Sequence, residues 1–262
     1  MAVMTKELIR SKEVLQENSK PISVLPIYKA GIIGCGWIAI EAPDSHLMAY
    51  KNNRRTTLIS LCDSDAEKRR TLVGLSEIWD NYKTMVKADS LDIVSICTPV
   101  ETHCQIVCDV APYVKAIWCE KPIAISLGEA NRMIETCHKY KVILQVNHQR
   151  KFSVPVFRYS RGILNTGTHM FDLLRQLFGE AEVITKDRVL FGKTWIKIEK
   201  VDTDKAVFEF DCTHNGDKML PKALEHLIDC LDNGHESISS GEEARETLRL
   251  TLNYGRMIGE EI

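Results

Sequence analysis

Short apolar runs alternate with segments of helical periodicity over the first 150 residues. Five runs have the length and composition of strands buried on both faces: 30–33, 57–62, 93–97, 116–119 and 142–146. Three segments between them predict helices: 64–75, 103–110 and 126–140. This alternation predicts right-handed crossovers and a doubly wound parallel sheet with helices on both faces.

Beyond about residue 150 the pattern predicts an α+β order. A helix is predicted over 169–178 and strands over 183–186, 195–198 and 206–211. Two further helices are predicted over 221–232 and 241–254. Residues 1–28 form an N-terminal extension with a predicted helix around 5–18, so the chain divides into segments 1–28, 29–150 and 151–262.

Composition restricts the class of partner. The chain carries 34 basic and 36 acidic residues among 262, and no block of like charge stands out. Nucleic acid and membrane surfaces are therefore not expected as partners. The apolar runs are far shorter than the roughly 20 residues of a membrane span, and the N-terminus shows no secretory signal, so we expect a soluble protein.

The cysteines indicate a reducing compartment. Several of the nine cysteines lie in apolar segments, and only Cys104 and Cys108 are close in sequence. No His or Cys cluster completes a zinc site beside this pair, so no metal is expected. Buried, reduced thiols predict a cytoplasmic protein.

A glycine-rich turn follows the first predicted strand. Gly34-Cys-Gly36-Trp37-Ile38-Ala39 has the G-x-G-x-x-A pattern of a dinucleotide-binding turn. The first glycine permits a tight turn, the second allows close approach of a pyrophosphate, and the small third residue permits close packing of the following helix. An alternative is a flavodoxin-like or methyltransferase-like turn that binds another ligand.

Asp63 ends the second strand and bears on the choice of cofactor. It lies 29 residues after Gly34, somewhat more than the usual spacing of about 20. Its carboxylate can accept hydrogen bonds from a ribose diol and would repel a 2′-phosphate, which favours NAD over NADP. Arg69 and Arg70 could still reach such a phosphate.

Four further motifs follow in order: Cys97-Thr-Pro-Val-Glu-Thr-His103, Trp118-Cys-Glu-Lys-Pro122, Asn147-His-Gln-Arg150 and Asn165-Thr-Gly-Thr-His169-Met-Phe-Asp172. With the glycine turn, this set resembles the glucose-fructose oxidoreductase / inositol dehydrogenase / rhizopine-catabolism (Gfo/Idh/MocA) family over most of residues 29–180. The resemblance implies an N-terminal Rossmann domain over 29–150. It also implies a C-terminal α+β domain over 151–262 with an open, mostly antiparallel sheet, shortened in this chain.

The resemblance also implies site residues. Lys121, in the family's Glu-Lys-Pro signature, would contact nicotinamide ribose and substrate, and the family often has a cis peptide before Pro122. His169 would be the catalytic histidine, and Asn165 stands where aspartate is frequent. The expected cofactor-binding residues are Gly34, Gly36, Trp37, Ile38, Asp63, Thr98, Pro99, His103, Glu120 and Lys121.

The chemistry of alcohol oxidation fits these residues. Oxidation of a secondary alcohol needs a hydride acceptor and a group that takes the hydroxyl proton. Because Asn165 cannot take a proton, the acid–base work falls on Lys121 and His169. We expect His169 to be the base, since histidine titrates near neutrality, and Lys121 to polarise the hydroxyl and relay its proton.

Each of these residues also has a structural alternative. Lys121 could be a surface lysine, His169 a buried and satisfied histidine, and His103 only the start of a helix. Asp172 is expected to cap or buttress its helix. The remaining histidines show no ligand spacing and are expected to bind no metal: His46, His138, His148, His214, His226 and His235.

We therefore expect an NAD-dependent oxidoreductase that acts on a small sugar, inositol or related polyol, as a homodimer or homotetramer. Only residues 151–164 separate Arg150 from Asn165, where the family usually has a helix and strands. Two alternatives stay open: a non-catalytic dinucleotide-binding regulator, and an NAD-dependent, redox-assisted glycoside hydrolase.

Overall fold

The fold of the chain is taken from a computed structural model. The structure describes residues 25–148, 157–159, 168–178, 181–185, 188–191, 194–197, 206–208 and 219–259. Asn165 and the predicted helix over 5–18 lie outside these ranges.

A six-stranded parallel sheet is the centre of the N-terminal part. Its strands are β1 (Tyr28–Ile33), β2 (Thr56–Cys62), β3 (Glu77–Trp79), β4 (Ile93–Ile96), β5 (Ala116–Cys119) and β6 (Ile143–Val146), in the order β3-β2-β1-β4-β5-β6. The order in which successive strands are added reverses between β1 and β4: β2 and β3 lie on one side of β1, and β4 to β6 lie on the other. Ligands of doubly wound folds bind at such a switch point.

Helices connect the strands of this sheet. They are α1 (His46–Asn52), α2 (Ala66–Thr71), α3 (Tyr82–Ala88), α4 (Val100–Val110) and α5 (Leu127–Tyr140). One π-helical turn covers Trp37–Glu41, and a short 3₁₀ turn covers Ala111–Tyr113. This arrangement confirms the predicted doubly wound Rossmann fold.

The five predicted strands are confirmed to within two residues at each end. Neither β3 nor α3 was predicted from the sequence, because β3 is a three-residue strand at the sheet edge with no fully buried position and α3 has only seven residues, of which two are buried. The helix predicted over 64–75 is also shorter in the structure. It runs only from Ala66 to Thr71 and lacks a buried residue.

The C-terminal part is α+β, as predicted. Helix α6 (Thr168–Phe178) precedes an antiparallel three-stranded sheet of β8 (Ala181–Thr185), β9 (Arg188–Phe191) and β10 (Thr194–Lys197). A second antiparallel pair joins β7 (Phe157–Tyr159) to β11 (Ala206–Phe208). Neither β7 nor β9 was predicted from the sequence.

The last two helices, α7 (Met219–Asn233) and α8 (Gly241–Ile258), pack against the parallel sheet. Leu220, Leu224 and Leu227 of α7 belong to the same apolar cluster as Ile32 and Trp118. Ala244, Leu248 and Leu252 of α8 belong to the cluster on the other face, with Ile96 and Val146. Burial of each leucine stabilises the fold by about 1.5–3 kcal/mol. Helices that the sequence grouped with the C-terminal segment therefore complete the layers of the first sheet. The domain boundaries themselves stay a prediction.

Among the described residues, no helix is both long and apolar enough to cross a lipid bilayer.

Candidate functional site

The turn after β1 is built around Gly34. This residue has a φ of +84°, and its N–H donates to the carbonyl oxygen of Cys62 at 2.8 Å. A Cβ at Gly34 would lie 2.8 Å from the carbonyl group of Cys97 and from Cγ2 of Thr98. Glycine is therefore required here both for the backbone angle and for the close approach of the loop after β4.

The backbone at Gly36 is not closely packed, in contrast to that at Gly34. A Cβ built there would meet no atom of the described chain within 4 Å, and the residue is half-buried. The backbone is thus open on the side where the sequence pattern predicts a pyrophosphate.

The structure departs from the expected regular helix after this turn. The π-helical turn starting at Trp37 ends at Glu41, and Ala42 and Pro43 lead into α1, where the Oγ of Ser45 accepts a hydrogen bond from the N–H of Met48 at 3.2 Å. Pro43 lacks an N–H and cannot continue a helix, which explains the break. Ala39 is fully buried, as its small side chain predicted, Ile38 is half-buried and Trp37 is 65% exposed.

Asp63 lies beside the glycine turn. Its Oδ2 accepts a hydrogen bond from the N–H of Cys35 at 2.8 Å, and its Oδ1 accepts one from the N–H of Asp65 at 2.9 Å. Each oxygen of a carboxylate can accept a further hydrogen bond. The carboxylate is thus held in one orientation at the end of β2 with acceptor capacity remaining.

The two arginines after Asp63 are engaged with the protein. Arg69 Nη1 donates to the carbonyl oxygens of Asp63 and Ser64 at 2.9 and 2.8 Å. Arg70 pairs with Glu67 one turn away on α2.

The loop after β4 brings Thr98 to the same edge of the sheet, and α4 follows from Pro99. His103 on α4 is 1% exposed. Its Nε2 lies 2.9 Å from the carbonyl oxygen of Thr98 and its Nδ1 lies 3.1 Å from that of Pro122. His103 therefore joins the loops after β4 and β5, which is a bracing role.

Glu120 follows β5, and its side chain faces the interior. Its Oε1 accepts from His46 Nε2 at 2.9 Å and from Asn147 Nδ2 at 2.6 Å, and its Oε2 accepts from the N–H of Lys121 at 3.3 Å. Lys121 itself is half-buried, and the peptide bond between Lys121 and Pro122 is cis, as the family resemblance implied.

Two opposing effects act on the pKa of Glu120. Burial raises the pKa of this carboxyl, but the hydrogen bond and charge of His46, the hydrogen bond of Asn147 and the charge of Lys121 together hold it below its usual value. Glu120 is therefore a carboxylate at neutral pH.

His169 lies in the first turn of α6, which contacts α8. Asp172, one turn further along, is 2% exposed. Its Oδ1 accepts a hydrogen bond from Thr247 on α8 at 3.1 Å and lies 3.4 Å from Nδ1 of His148. Asp172 thus buttresses its helix, as expected.

The carboxyl ends of four neighbouring strands therefore bring Gly34, Asp63, Thr98 and Lys121 to one edge of the sheet. His46 and Asn147, which hold Glu120, were not predicted as site residues. His46 precedes Glu120 by 74 residues and shows no ligand spacing, so only the fold reveals their contact.

The thiols near this edge are inert. Cys35, Cys62 and Cys119 are buried and free. Burial, followed by the charge of Asp63, raises the pKa of Cys35 and of Cys62 to about 12. These thiols stay protonated at neutral pH, which agrees with their interpretation as small core residues.

The fold and the turn at Gly34 define a Rossmann domain of the dinucleotide-binding class. A family model described as an oxidoreductase family with an NAD-binding Rossmann fold, GFO_IDH_MocA, matches residues 28–148. Residues 28–148 are therefore similar to the NAD-binding domain of the Gfo/Idh/MocA family of oxidoreductases.

Curated relatives share this part of the chain. The D-apiose dehydrogenase of Paraburkholderia graminis is 27% identical over 154 residues, which cover 58% of this chain and 40% of the relative. The myo-inositol 2-dehydrogenase of Thermotoga maritima is 25% identical over 220 residues, covering 70% of this chain and 65% of the relative. The chain thus spans less than two thirds of the length of these relatives.

Solved structures share the fold. The WlbA dehydrogenase of Bordetella pertussis, in complex with NADH and UDP-GlcNAcA, superposes with a TM-score of 0.66 at 18% identity, covering 90% of this chain and 98% of that one. A putative myo-inositol dehydrogenase from Sinorhizobium meliloti superposes with a TM-score of 0.66 at 19% identity, covering 88% and 97%.

Proposed function

We propose that this protein is an NAD-dependent dehydrogenase that oxidises a secondary hydroxyl of a sugar, inositol or related polyol. The observation that carries the proposal is the position of Lys121. It follows β5, one strand from the switch point, at the edge where Gly34 and Asp63 form a dinucleotide-type turn.

The residues present fit a dinucleotide. Gly34 gives the turn its left-handed angle, the open side of Gly36 leaves space for a pyrophosphate, and Asp63 has acceptor capacity for a ribose diol. Trp37 and Ile38 begin the π-helical turn behind the pyrophosphate position, and Thr98 and Pro99 would lie along the nicotinamide ribose. His103 and Glu120 support this site from behind.

NAD is the preferred cofactor in this proposal. The charge of Asp63 opposes a 2′-phosphate, and the guanidinium of Arg69 is occupied by two backbone carbonyl oxygens. Arg70 is paired with Glu67, so binding of NADP would require one of the arginines to leave its partner.

The bound nicotinamide would supply the hydride acceptor. Lys121 would donate a hydrogen bond to the substrate hydroxyl, and His169, on α6, would take its proton. The carboxylate of Glu120 supports this division of labour because its negative charge favours the ammonium form of Lys121. Asn165 would orient the substrate by hydrogen bonds.

A sugar or polyol is the substrate class that the relatives favour. The names of the curated relatives include apiose, myo-inositol and D-glucoside dehydrogenases. We propose a homo-oligomer in a reducing, cytoplasmic compartment, which the buried free cysteines support.

The test is formation of NADH, followed by absorbance, with a panel of inositols, aldoses and sugar acids. Lys121→Met should abolish turnover, while NADH should still bind saturably through the glycine turn and Asp63. Lys115→Met is the matched control, because Lys115 precedes the same strand at its opposite end and pairs with Asp92. NADH binding without turnover on any substrate would favour a dinucleotide-binding regulator instead.

A further inference from the structure

A chain of buried hydrogen bonds lies behind Glu120. His46 Nε2 contacts Glu120 Oε1 at 2.9 Å, and His46 Nδ1 contacts Ser95 Oγ at 2.9 Å. Tyr50 Oη continues the chain to Ser95 Oγ at 2.8 Å. We propose that His46 is a positioning residue that keeps Glu120 ionised beside Lys121.

The chain is inaccessible to water. His46 and Ser95 are 0% exposed and Tyr50 is 1% exposed. The ring of His46 also packs on Trp118, with 4.0 Å between the ring centroids. Glu120 itself is 8% exposed, so the buried side chains that contact it outweigh solvent in determining whether it carries a charge.

His46 Nε2 donates to Glu120 in either protonation state of the ring. The carboxylate of Glu120 can only accept, so His46 Nε2 carries a proton and donates it. In the neutral ring Nδ1 then accepts from the hydroxyl of Ser95, which in turn accepts from Tyr50. Burial raises the pKa of Tyr50, so that the tyrosine keeps the proton that starts the chain.

Further groups around Glu120 do not replace this effect. Asn147 donates a second hydrogen bond but carries no charge. The thiols of Cys97 and Cys119 are neutral because burial raises the pKa of both. Lys121 and His46 are thus the two basic groups that act on the carboxylate.

The consequence concerns Lys121 and rests on the proposed function. Glu120 Oε2 accepts the backbone N–H of Lys121 and its charge attracts the ammonium. A protonated Glu120 would weaken both interactions. Through Glu120, His46 therefore fixes the backbone and the charge of the residue that polarises the substrate.

Two substitutions separate the two bonds of His46. The amide of His46→Gln reaches the position of Nε2 and can still donate to Glu120. The amide of His46→Asn is shorter, reaches the position of Nδ1, and retains only the contact with Ser95. Both substitutions replace the imidazole with a polar amide of similar or smaller size, so both variants are expected to fold.

Infrared spectroscopy at neutral pH reads the state of Glu120 without substrate. His46→Asn should show the carbonyl stretch of a protonated carboxyl group, and this band should vanish in His46→Asn/Glu120→Gln. Wild type and His46→Gln should lack the band. Tyr28→Phe, which removes the bond to Asp232 at the other end of the sheet, controls for lost stability and should also lack it.

Turnover provides the second reading. In His46→Asn, kcat should fall roughly 10- to 100-fold, the range for loss of a hydrogen bond to a charged group, while NADH still binds saturably. His46→Gln should restore kcat. A folded His46→Asn that lacks the infrared band would overturn the proposal, and the band without a loss of kcat would overturn its consequence for Lys121. The infrared result decides it even where no substrate is turned over and the proposed function fails.

Discussion

Individual residues at the ends of the strands give this edge of the sheet its chemistry. Gly34 brings two loops into contact, Asp63 offers a fixed carboxylate, and Lys121 follows a strand that is buried throughout. Glu120, next to Lys121, faces the protein interior toward His46. The motif Glu-Lys-Pro therefore combines an inward structural acid with the lysine of the site.

Asp63→Asn should change cofactor preference. Loss of the charge removes a strong hydrogen bond to the ribose and the repulsion of a 2′-phosphate. We expect the dissociation constant of NADH to rise roughly 10-fold and the ratio of the NADPH to the NADH dissociation constant to fall. Isothermal titration calorimetry with each cofactor measures both constants.

The control for this experiment is Asp65→Asn. Asp65 caps α2 through the N–H groups of Glu67 and Lys68, and asparagine caps a helix equally well. The same change of charge two residues away should leave the preference unaltered. An unchanged NADH to NADPH ratio in Asp63→Asn would remove Asp63 from the cofactor site.

The sequence predicted the residues that act through local pattern and missed those that act through the fold. Gly34, Gly36 and Asp63 follow strands in a recognisable order. His46 was dismissed as a residue without ligand spacing, because its partners Ser95 and Glu120 are 49 and 74 residues away. The positions of Asn165 and of the His169 side chain relative to Lys121 stay predictions.

At the scale of elements, the long spacing between Gly34 and Asp63 has a structural use. The segment between the π-helical turn and α1 places Asp44 at the start of α7. Asp44 Oδ2 accepts from the N–H groups of Met219 and Leu220 at 2.9 and 3.2 Å. A helix distant in sequence is thereby capped from the cofactor turn.

Asp44→Ala should destabilise the fold by about 1–2 kcal/mol, because two N–H groups lose their acceptor. Urea unfolding measures the loss, and hydrogen exchange should show weaker protection of α7. Asp65→Ala, which removes a cap within α2, should leave α7 protection unaltered. Equal exchange of α7 amides in wild type and Asp44→Ala would refute this role.

The apolar pattern predicted α7 and α8 as helices but could not say which sheet they cover. An amphipathic pattern shows which face of a helix is buried but not which element covers that face. Long-range contacts decide this, such as the bond from Gln145 Nε2 on β6 to the carbonyl oxygen of Ala223 on α7. For this reason the sequence grouped both helices with the segment beyond residue 150.

At the scale of the whole molecule, one ion pair joins the start of β2 to helix α7. Arg55 makes a bidentate contact with Asp232 on α7 at 2.9 and 2.8 Å, and Tyr28 on β1 donates to the same carboxylate at 2.7 Å. The hydrogen bond from Arg55 and then that from Tyr28 hold the pKa of Asp232 below its usual value.

Asp232→Asn should therefore lower the free energy of unfolding at neutral pH, by no more than about 1 kcal/mol because the pair is partly in solvent. A depressed folded pKa stabilises above the unfolded pKa, so the difference from wild type should shrink as pH falls below about 4. Denaturant titrations across pH measure it, with Glu225→Gln on the same helix as control. A difference that persists at low pH would contradict the assignment.

The central claim is that the edge of the sheet at Gly34 binds NAD(H), and calorimetric titration of NADH tests it most directly. Gly34 and Gly74 both have positive φ values, +84° and +87°, but only a Cβ at Gly34 would strike the neighbouring loop. Each alanine variant should cost about 1–2 kcal/mol in backbone strain. We predict saturable binding by wild type and Gly74→Ala and its loss in Gly34→Ala; undiminished binding by a folded Gly34→Ala, or none by wild type, would contradict the claim.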